Sequence, residues 1–345
     1  MSLRPLYGHD SVRRRLAQSI QAQRLPQALL LEGPKGIGKQ RLALWLAQAV
    51  LCETPKAGEP CGDCRACRLA TTLTHPDLHW FVPLEPPKKS ADADKQVELV
   101  EAALGEELAI RREQPLYPPP SGMAVHSLAT VRLLLRRIAL TPAMGQTKVF
   151  VIGDAERLTP QKASPEAANA LLKILEEPPS NAVIVLTAAD ADVLPPTIVS
   201  RVVRIRLTTL ADSVVTAFVH RELPELRNPE RIVAGAGGSI GRLLALKGAP
   251  ERHLDESWLG STQRGAVERY ATALRQTPFQ ARGGFTDMLD GLLDRLRREA
   301  RGSQDPKRLV AAIALVMEAR DQAQGNVNPQ LLTAVLADDL DVAAR

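Results

Sequence analysis

Residues 28–50 read ALLLEGPKGIGKQRLALWLAQAV, and this stretch decides the fold. Residues 28–31 are an uninterrupted apolar run of the length of a buried strand, and residues 41–50 read as a helix. Between them, Gly33, Gly38 and Lys39 satisfy the phosphate-loop pattern G-x-x-x-x-G-K-[S/T], but its last position is Gln40. In such a loop, backbone N–H groups and the lysine hold phosphates, and the final hydroxyl holds magnesium. The chain keeps the phosphate half of the pattern and lacks the magnesium half. That predicts a nucleotide-binding architecture whose own hydrolysis is weak or lost. The strand-to-helix turn is where such a loop has to sit. A glycine-rich turn with no ligand is the plainer alternative.

At 345 residues the chain has room for two or three domains, and its 45% hydrophobic content supports real cores. No apolar run approaches the roughly 18 residues of a membrane helix, and the start, MSLRPLYGHD, lacks a signal-peptide core. A cytoplasmic protein with no membrane partner is expected. A net charge of +5 permits contact with nucleic acid without demanding it.

All four cysteines, Cys52, Cys61, Cys64 and Cys67, fall in one short segment with the spacing C-x8-C-x2-C-x2-C. Four thiolates this close suit a tetrahedral zinc ion, and a four-sulfur site is closed and structural. The alternatives are a redox pair or unrelated thiols. Because the cluster follows the loop's helix directly, it reads as an insertion on the nucleotide domain.

From about residue 85 to 122 the chain is Pro-rich and charged, with one short helix expected at 97–108, and reads as an exposed, mobile insertion. Helical periodicity resumes at 131–140. Residues 148–152, KVFVI, are a buried strand ending in Gly153-Asp154-Ala155-Glu156. A helix over about 165–177 stops at Pro178-Pro179. Strands follow at 182–186, ending at Thr187, and at 202–207. Alternating strands and helices imply a parallel sheet with helices on both faces, an α/β P-loop domain.

GPKGIGK at 33–39, the cysteine knuckle, HPD at 75–77, NALLKILEEPP at 169–179, TIVSR at 197–201 and GGSIGR at 237–242 together resemble the clamp-loader ATPases of the AAA+ class in bacterial DNA polymerase III. The likeness covers most of residues 1–245, and the cysteine spacing narrows it to the gamma/tau and delta-prime branch. It implies an AAA+ P-loop domain over 1–208 with a zinc module at 52–67 and the flexible insertion at about 85–122. A helical lid over 209–249 and an all-α collar or oligomerisation domain over 250–345 would follow. It implies work in DNA replication, within a holoenzyme that is a DNA-directed DNA polymerase (a nucleotidyltransferase). The partners it implies are gamma/tau motor subunits and a delta subunit in a heteropentamer, the sliding clamp, and primer-template DNA.

Departures from the family carry the functional reading. Motors end the loop in Ser or Thr and end the second strand in Asp-Glu; here those positions are Gln40, Gly153 and Asp154. The magnesium carboxylate is missing, unless a one-residue shift lets Asp154 serve. ATP and magnesium binding are therefore doubtful, and structural zinc is the expected cofactor. The family's Ser-Arg-Cys becomes Ser200-Arg201-Val202, and the resemblance implies that Arg201 is an arginine finger reaching a neighbour's nucleotide. The rival reading is a structural arginine paired with a carboxylate. By the same likeness Thr187 matches a sensor and Arg242 a lid arginine on nucleotide. Lys173 faces DNA phosphates in the motors, with a solvated helix face as its rival. GAGGSIGR is expected to begin a helix whose N–H groups are free to approach phosphate.

Beyond residue 250, Phe285, Met288, Leu289, Leu292, Leu293 and Leu296 form one amphipathic stripe, and Leu309, Val310, Ile313, Val316 and Met317 another. Three functions stay open: a non-hydrolysing, stator-like clamp-loader subunit; a working AAA+ ATPase that loads clamps or helicases; and a zinc-dependent nucleic-acid-binding protein with a relic loop. Gln40 and Gly153 favour the first over the second.

Overall fold

The computed structural model describes residues 3–85, 87, 90–116, 124–158, 166–248, 289, 292, 293, 296, 297, 299, 300, 306–323 and 328–344. Two compact units divide the chain, Met1–Gly248 and Ala249–Arg345.

The first unit is built on a five-stranded sheet in the order β2-β3-β4-β1-β5, with every pairing parallel. The strands are β1 (Ala28–Glu32), β2 (Leu78–Phe81), β3 (Lys148–Ile152), β4 (Ala182–Ala188) and β5 (Val203–Arg206). In β1, β3 and β4 every residue is buried, which explains why these stretches are continuous apolar runs rather than alternating ones. Parallel neighbours need long crossovers. After α1 (Asp10–Gln21), which precedes the first strand, these are supplied by α2 (Lys39–Leu51), α3 (Arg65–Thr71), α4 (Ala93–Glu113), α5 (Leu128–Ala139), α6 (Glu166–Glu176) and the short α7 (Pro196–Val199). Leu30 pairs with Leu186 on one side and Arg204 on the other, so the C-terminal ends of β1, β4 and β5 lie side by side. Ligand sites of open parallel sheets form at such ends.

Two expectations need correction here. The segment read as an exposed, mobile insertion contains α4, a helix of 21 residues. Val97, Val100 and Leu104 sit at i, i+3 and i+7 on one face and are buried in the main core. Asp92 caps its N-terminus, and Asp94 and Glu101 pair with Arg136 and Arg137 of α5. The short helix expected at 97–108 lies inside α4, and what its high charge disguised was the burial of its apolar stripe, which Ala103 and Leu108 flank at the edge of the core. Residues 117–122 of that segment lie outside the described residues. The second correction is β2, LHWF, which carries too short a pattern to have been read as a strand. His79 stacks on Phe150 of β3 at 4.7 Å.

HPD at 75–77 is architecture. His75 Nδ1 accepts the Asp77 N–H at 3.0 Å, and the Asp77 carboxylate accepts the Ala143 and Met144 N–H groups at 2.7 and 2.8 Å. Lys148 is buried and donates to the carbonyls of Arg137, Ile138 and Leu140, satisfying acceptors at the end of α5.

Helices α8 (Asp212–Glu222), α9 (Pro229–Ala236) and α10 (Ile240–Gly248) carry a core of their own around Val215, Phe218, Val219, Val233 and Leu243. In the second unit, α11 (Lys307–Ala323) and α12 (Pro329–Ala344) share a core with the helical residues Leu289, Leu292, Leu293 and Leu296. Phe285 and Met288, read as part of that stripe, lie outside the described residues. The second stripe is corrected: Val316 is fully buried and Leu309 and Ile313 pack against the core, but Val310 and Met317 are exposed. Residues 309, 313 and 316 share a helical face, and 310 and 317 turn away from it.

Candidate functional site

The phosphate loop runs from the end of β1 into α2, and three glycines relieve a close approach or an unfavourable backbone there. A Cβ at Gly33 would stand 2.3 Å from the Leu207 carbonyl. Gly36 and Gly38 have φ of +75° and +99°, a region open to glycine at no steric penalty. The loop's carbonyls all have donors from the chain itself. Lys39 Nζ donates to Gly33 O and Pro34 O at 2.7 and 2.8 Å. Ser239 Oγ donates to Lys35 O at 2.9 Å, and the Gly241 N–H to Gly36 O at 2.9 Å. His9 Nε2 donates to Ile37 O at 2.8 Å, and the Leu42 N–H to Gly38 O at 2.9 Å.

The contacts from Ser239 and Gly241 correct the reading of GAGGSIGR. Its N–H groups are engaged: Gly241 bonds the loop, and the Arg242 N–H bonds Ser239 Oγ at 3.2 Å. The approach is backbone against backbone. A Cβ on Gly36 would meet Gly241 Cα at 2.8 Å and Ser239 Oγ at 2.5 Å. Only two facing glycines let the start of α10 rest directly on the loop.

The magnesium side of the site is occupied by the chain. Gln40 Nε2 donates to Asp154 Oδ2 at 3.0 Å. A Cβ built on Gly153 would lie 2.7 Å from Gln40 Cδ and Oε1. The amide of Gln40 thus fills the space that a side chain at position 153 would need. Glutamine at the loop's end and glycine at the strand's end are two halves of one fit. Asp154 has φ +49°, and its N–H is held by Thr187 Oγ1 at 3.1 Å, with Thr187 fully buried. His126 donates from Nε2 to Gly153 O at 2.7 Å, since a carbonyl can only accept. Burial holds the His126 pKa down at about 4, so the ring is neutral.

Two further charges complete the electrostatics. Burial lowers the Lys39 pKa, with Glu156 and Asp154 opposing it. Burial, then the neighbouring Asp154 carboxylate, raises that of Glu156. Glu156 Oε1 accepts the Ala189 N–H at 3.2 Å, and its Oε2, like Gln40 Oε1, is buried without a hydrogen-bond partner. Sequence reading passed over Ser239 and His9, which bond the loop from distant segments, and Glu156 and His126, which stand around the end of β3 beside it.

The cysteine module is assembled in the opposite manner. The four sulfurs lie within 4.8 Å of one another, with Cys52–Cys64 and Cys61–Cys67 at 3.9 Å. A tetrahedral ion with 2.3 Å metal–sulfur bonds separates its sulfurs by about 3.8 Å, so the donor set fits a metal ion. Backbone N–H groups of Cys61, Cys64 and Cys67 point at Cys52, Cys61 and Cys64 Sγ at 3.3, 3.4 and 3.3 Å. Hydrogen bonds from Thr54 and the Cys64 backbone pull the Cys61 pKa down to about 6, while burial pushes those of Cys52 and Cys67 up. Gln48 ties α2 to α3 through Cys67 O and Thr71 Oγ1 at 3.3 and 2.9 Å.

Arg201 follows α7. Its Nη1 donates to Thr197 O at 2.8 Å and Ser200 Oγ at 3.3 Å, and its Nη2 pairs with Glu176, the last residue of α6. Its Nε is buried without a partner. Lys173 is exposed on α6, opposite the buried Ala167, Ala168, Leu171 and Leu175. No helix among the described residues is long and apolar enough to cross a membrane.

A family model described as DNA polymerase III, delta subunit, matches residues 8–211. A DNA polymerase III delta-prime subunit of Pseudomonas aeruginosa is 34% identical over 214 residues, 61% of this chain and 53% of that protein. The delta-prime subunit of Escherichia coli is 28% identical over 235 residues, 67% of this chain and 58% of that protein. The tau subunit of Escherichia coli is 27% identical over 225 residues, 65% of this chain and 28% of that protein. In each case the alignment spans less than two thirds of the relative.

Proposed function

The chain belongs to the DNA polymerase III delta-subunit family, and from that premise we propose that it is a non-hydrolysing, stator-like subunit of an AAA+ clamp loader. It would sit beside gamma/tau motor subunits and a delta subunit and help place the sliding clamp on primer-template DNA. The observation that carries this reading is the fit of Gln40 against Gly153 and Asp154. A magnesium ion needs oxygen ligands at about 2.0–2.1 Å in octahedral array. Here an amide N–H₂ is directed at the Asp154 carboxylate. The retained Lys39 favours the rival, a working ATPase, but it caps loop carbonyls in this arrangement.

What the chain would contribute instead is Arg201, as a finger offsetting charge on a neighbour's transferring phosphoryl group. Lys173 would add phosphate contacts without sequence preference. Zinc in the cysteine module would be structural, and Thr187 and Arg242 would have lost their nucleotide-sensing work. Helices of the second unit would form the collar. The test is reconstitution of the assembly with Arg201→Ala. An arginine finger contributes roughly 10³–10⁵ in rate at its own site. Because one site among several loses it, total DNA-stimulated ATPase should fall in part and clamp loading further. Unchanged rates in an intact complex would overturn the finger. Turnover of about 1 per second or faster by the isolated chain would favour the ATPase.

A further inference from the structure

We propose that Glu176 parks Arg201: it holds the guanidinium against its own chain until a neighbouring subunit's phosphates compete it away. This rests on the reading of Arg201 as a finger acting on a neighbour.

The resting guanidinium is held by three acceptors of its own chain. Two are neutral, Thr197 O and Ser200 Oγ, and they fix its place beside α7. The third is the Glu176 carboxylate, which supplies the countercharge. The pose is not a fully satisfied one, because Nε is buried with no acceptor, and an orphaned donor is unfavourable. Nor is the pair deep: the Glu176 side chain is 49% exposed and that of Arg201 29%. Exposed pairs are weak, so a polyphosphate carrying several negative charges can displace a single carboxylate. A structural ion pair would gain little here, whereas a holding contact needs to be weak. Position adds to the argument. Arg201 lies by the C-terminal end of α6, where carbonyl dipoles attract a cation. Glu176 stands on the exposed face one turn beyond Lys173.

The experiment reconstitutes the assembly with wild-type chain, Glu176→Gln, Glu176→Asp, Arg201→Ala and the double variant Glu176→Gln/Arg201→Ala, confirming subunit composition each time. ATP hydrolysis is measured with and without primed DNA, separating kcat from KM. Removing the countercharge should raise unstimulated turnover at the one site that Arg201 serves about two- to fivefold, the range of an exposed pair, so the assembly's total kcat should rise by a smaller factor, with KM unchanged. Stimulation by DNA should shrink, because the parked fraction is already released. Glu176→Asp should stay near wild type, and the gain should vanish in the double variant. If Arg201→Ala lowers hydrolysis while Glu176→Gln is equal to or slower than wild type, parking is overturned and the finger stands. If Glu176→Gln gains activity even without Arg201, the carboxylate acts elsewhere and parking is overturned. If Arg201→Ala changes nothing, finger and parking fall together.

Discussion

The cysteine module at 52–67 and the phosphate loop at 33–40 both advertise a ligand by spacing, yet one presents its donors to a shared point and the other has turned its donors inward. Four sulfurs converge with distances that suit one tetrahedral ion. In the loop, Lys39, Ser239, Gly241 and His9 serve the loop's own carbonyls, and Gln40 fills the metal side. The difference is one of origin. All four metal donors come from 16 consecutive residues, so their spacing almost determines the site. The loop's metal side is completed by residues more than a hundred positions away, and a motif cannot report on them.

Metal removal should have the largest effect. About one zinc per chain is expected, and chelation or Cys67→Ser should release it and open amide exchange across residues 52–71. Without the ion, four buried or half-buried thiols would lose what holds them together. A metal-free chain with unchanged exchange would erase the contrast with the loop.

A pH titration reads the loop side. The folded His126 pKa is about 4 and the unfolded value 6.5, so between them the unfolded state binds the extra proton. Stability is then fully present above pH 6.5 and lost as pH falls toward 4, by up to about 1.4 kcal/mol per unit. Metal release adds its own acid sensitivity, so the measurement is the difference between wild type and His126→Leu in denaturant titrations. The variant should be flatter across that window. Parallel curves would remove His126 from the support of Gly153.

Gly36→Ala should come next, at about 2 kcal/mol, because it forces a positive φ on alanine and drives Cβ into Gly241. Amide exchange should show α10 loosened while the cysteine module is untouched. Protection of α10 equal to wild type would mean its seat on the loop is incidental.

The smallest expected effect is the sharpest. Gly153→Ala should destabilise by about 1 kcal/mol, since the clash is with the end of a flexible side chain. In a Gln40→Ala background most of that penalty should disappear, a coupling of about 0.5–1 kcal/mol in a double-mutant cycle. Additive effects would show that the two positions are not one fit.

Local order was legible because it is encoded locally. The apolar runs of β1, β3 and β4, the glycines of the loop, the four-cysteine spacing and the Pro-Pro stop after α6 each state their role within a few residues. Tertiary structure alone decided the rest. It lengthened the short helix expected at 97–108 into α4 and buried its apolar face in the core, and made a strand of LHWF because β3 was there to pair with it. It set Gln40 against Gly153, glycine against glycine where α10 meets the loop, and Glu176 against Arg201. The sheet order β2-β3-β4-β1-β5 places strands beside partners remote in sequence. What a side chain meets at their ends is therefore fixed by packing between distant segments, which no local pattern encodes.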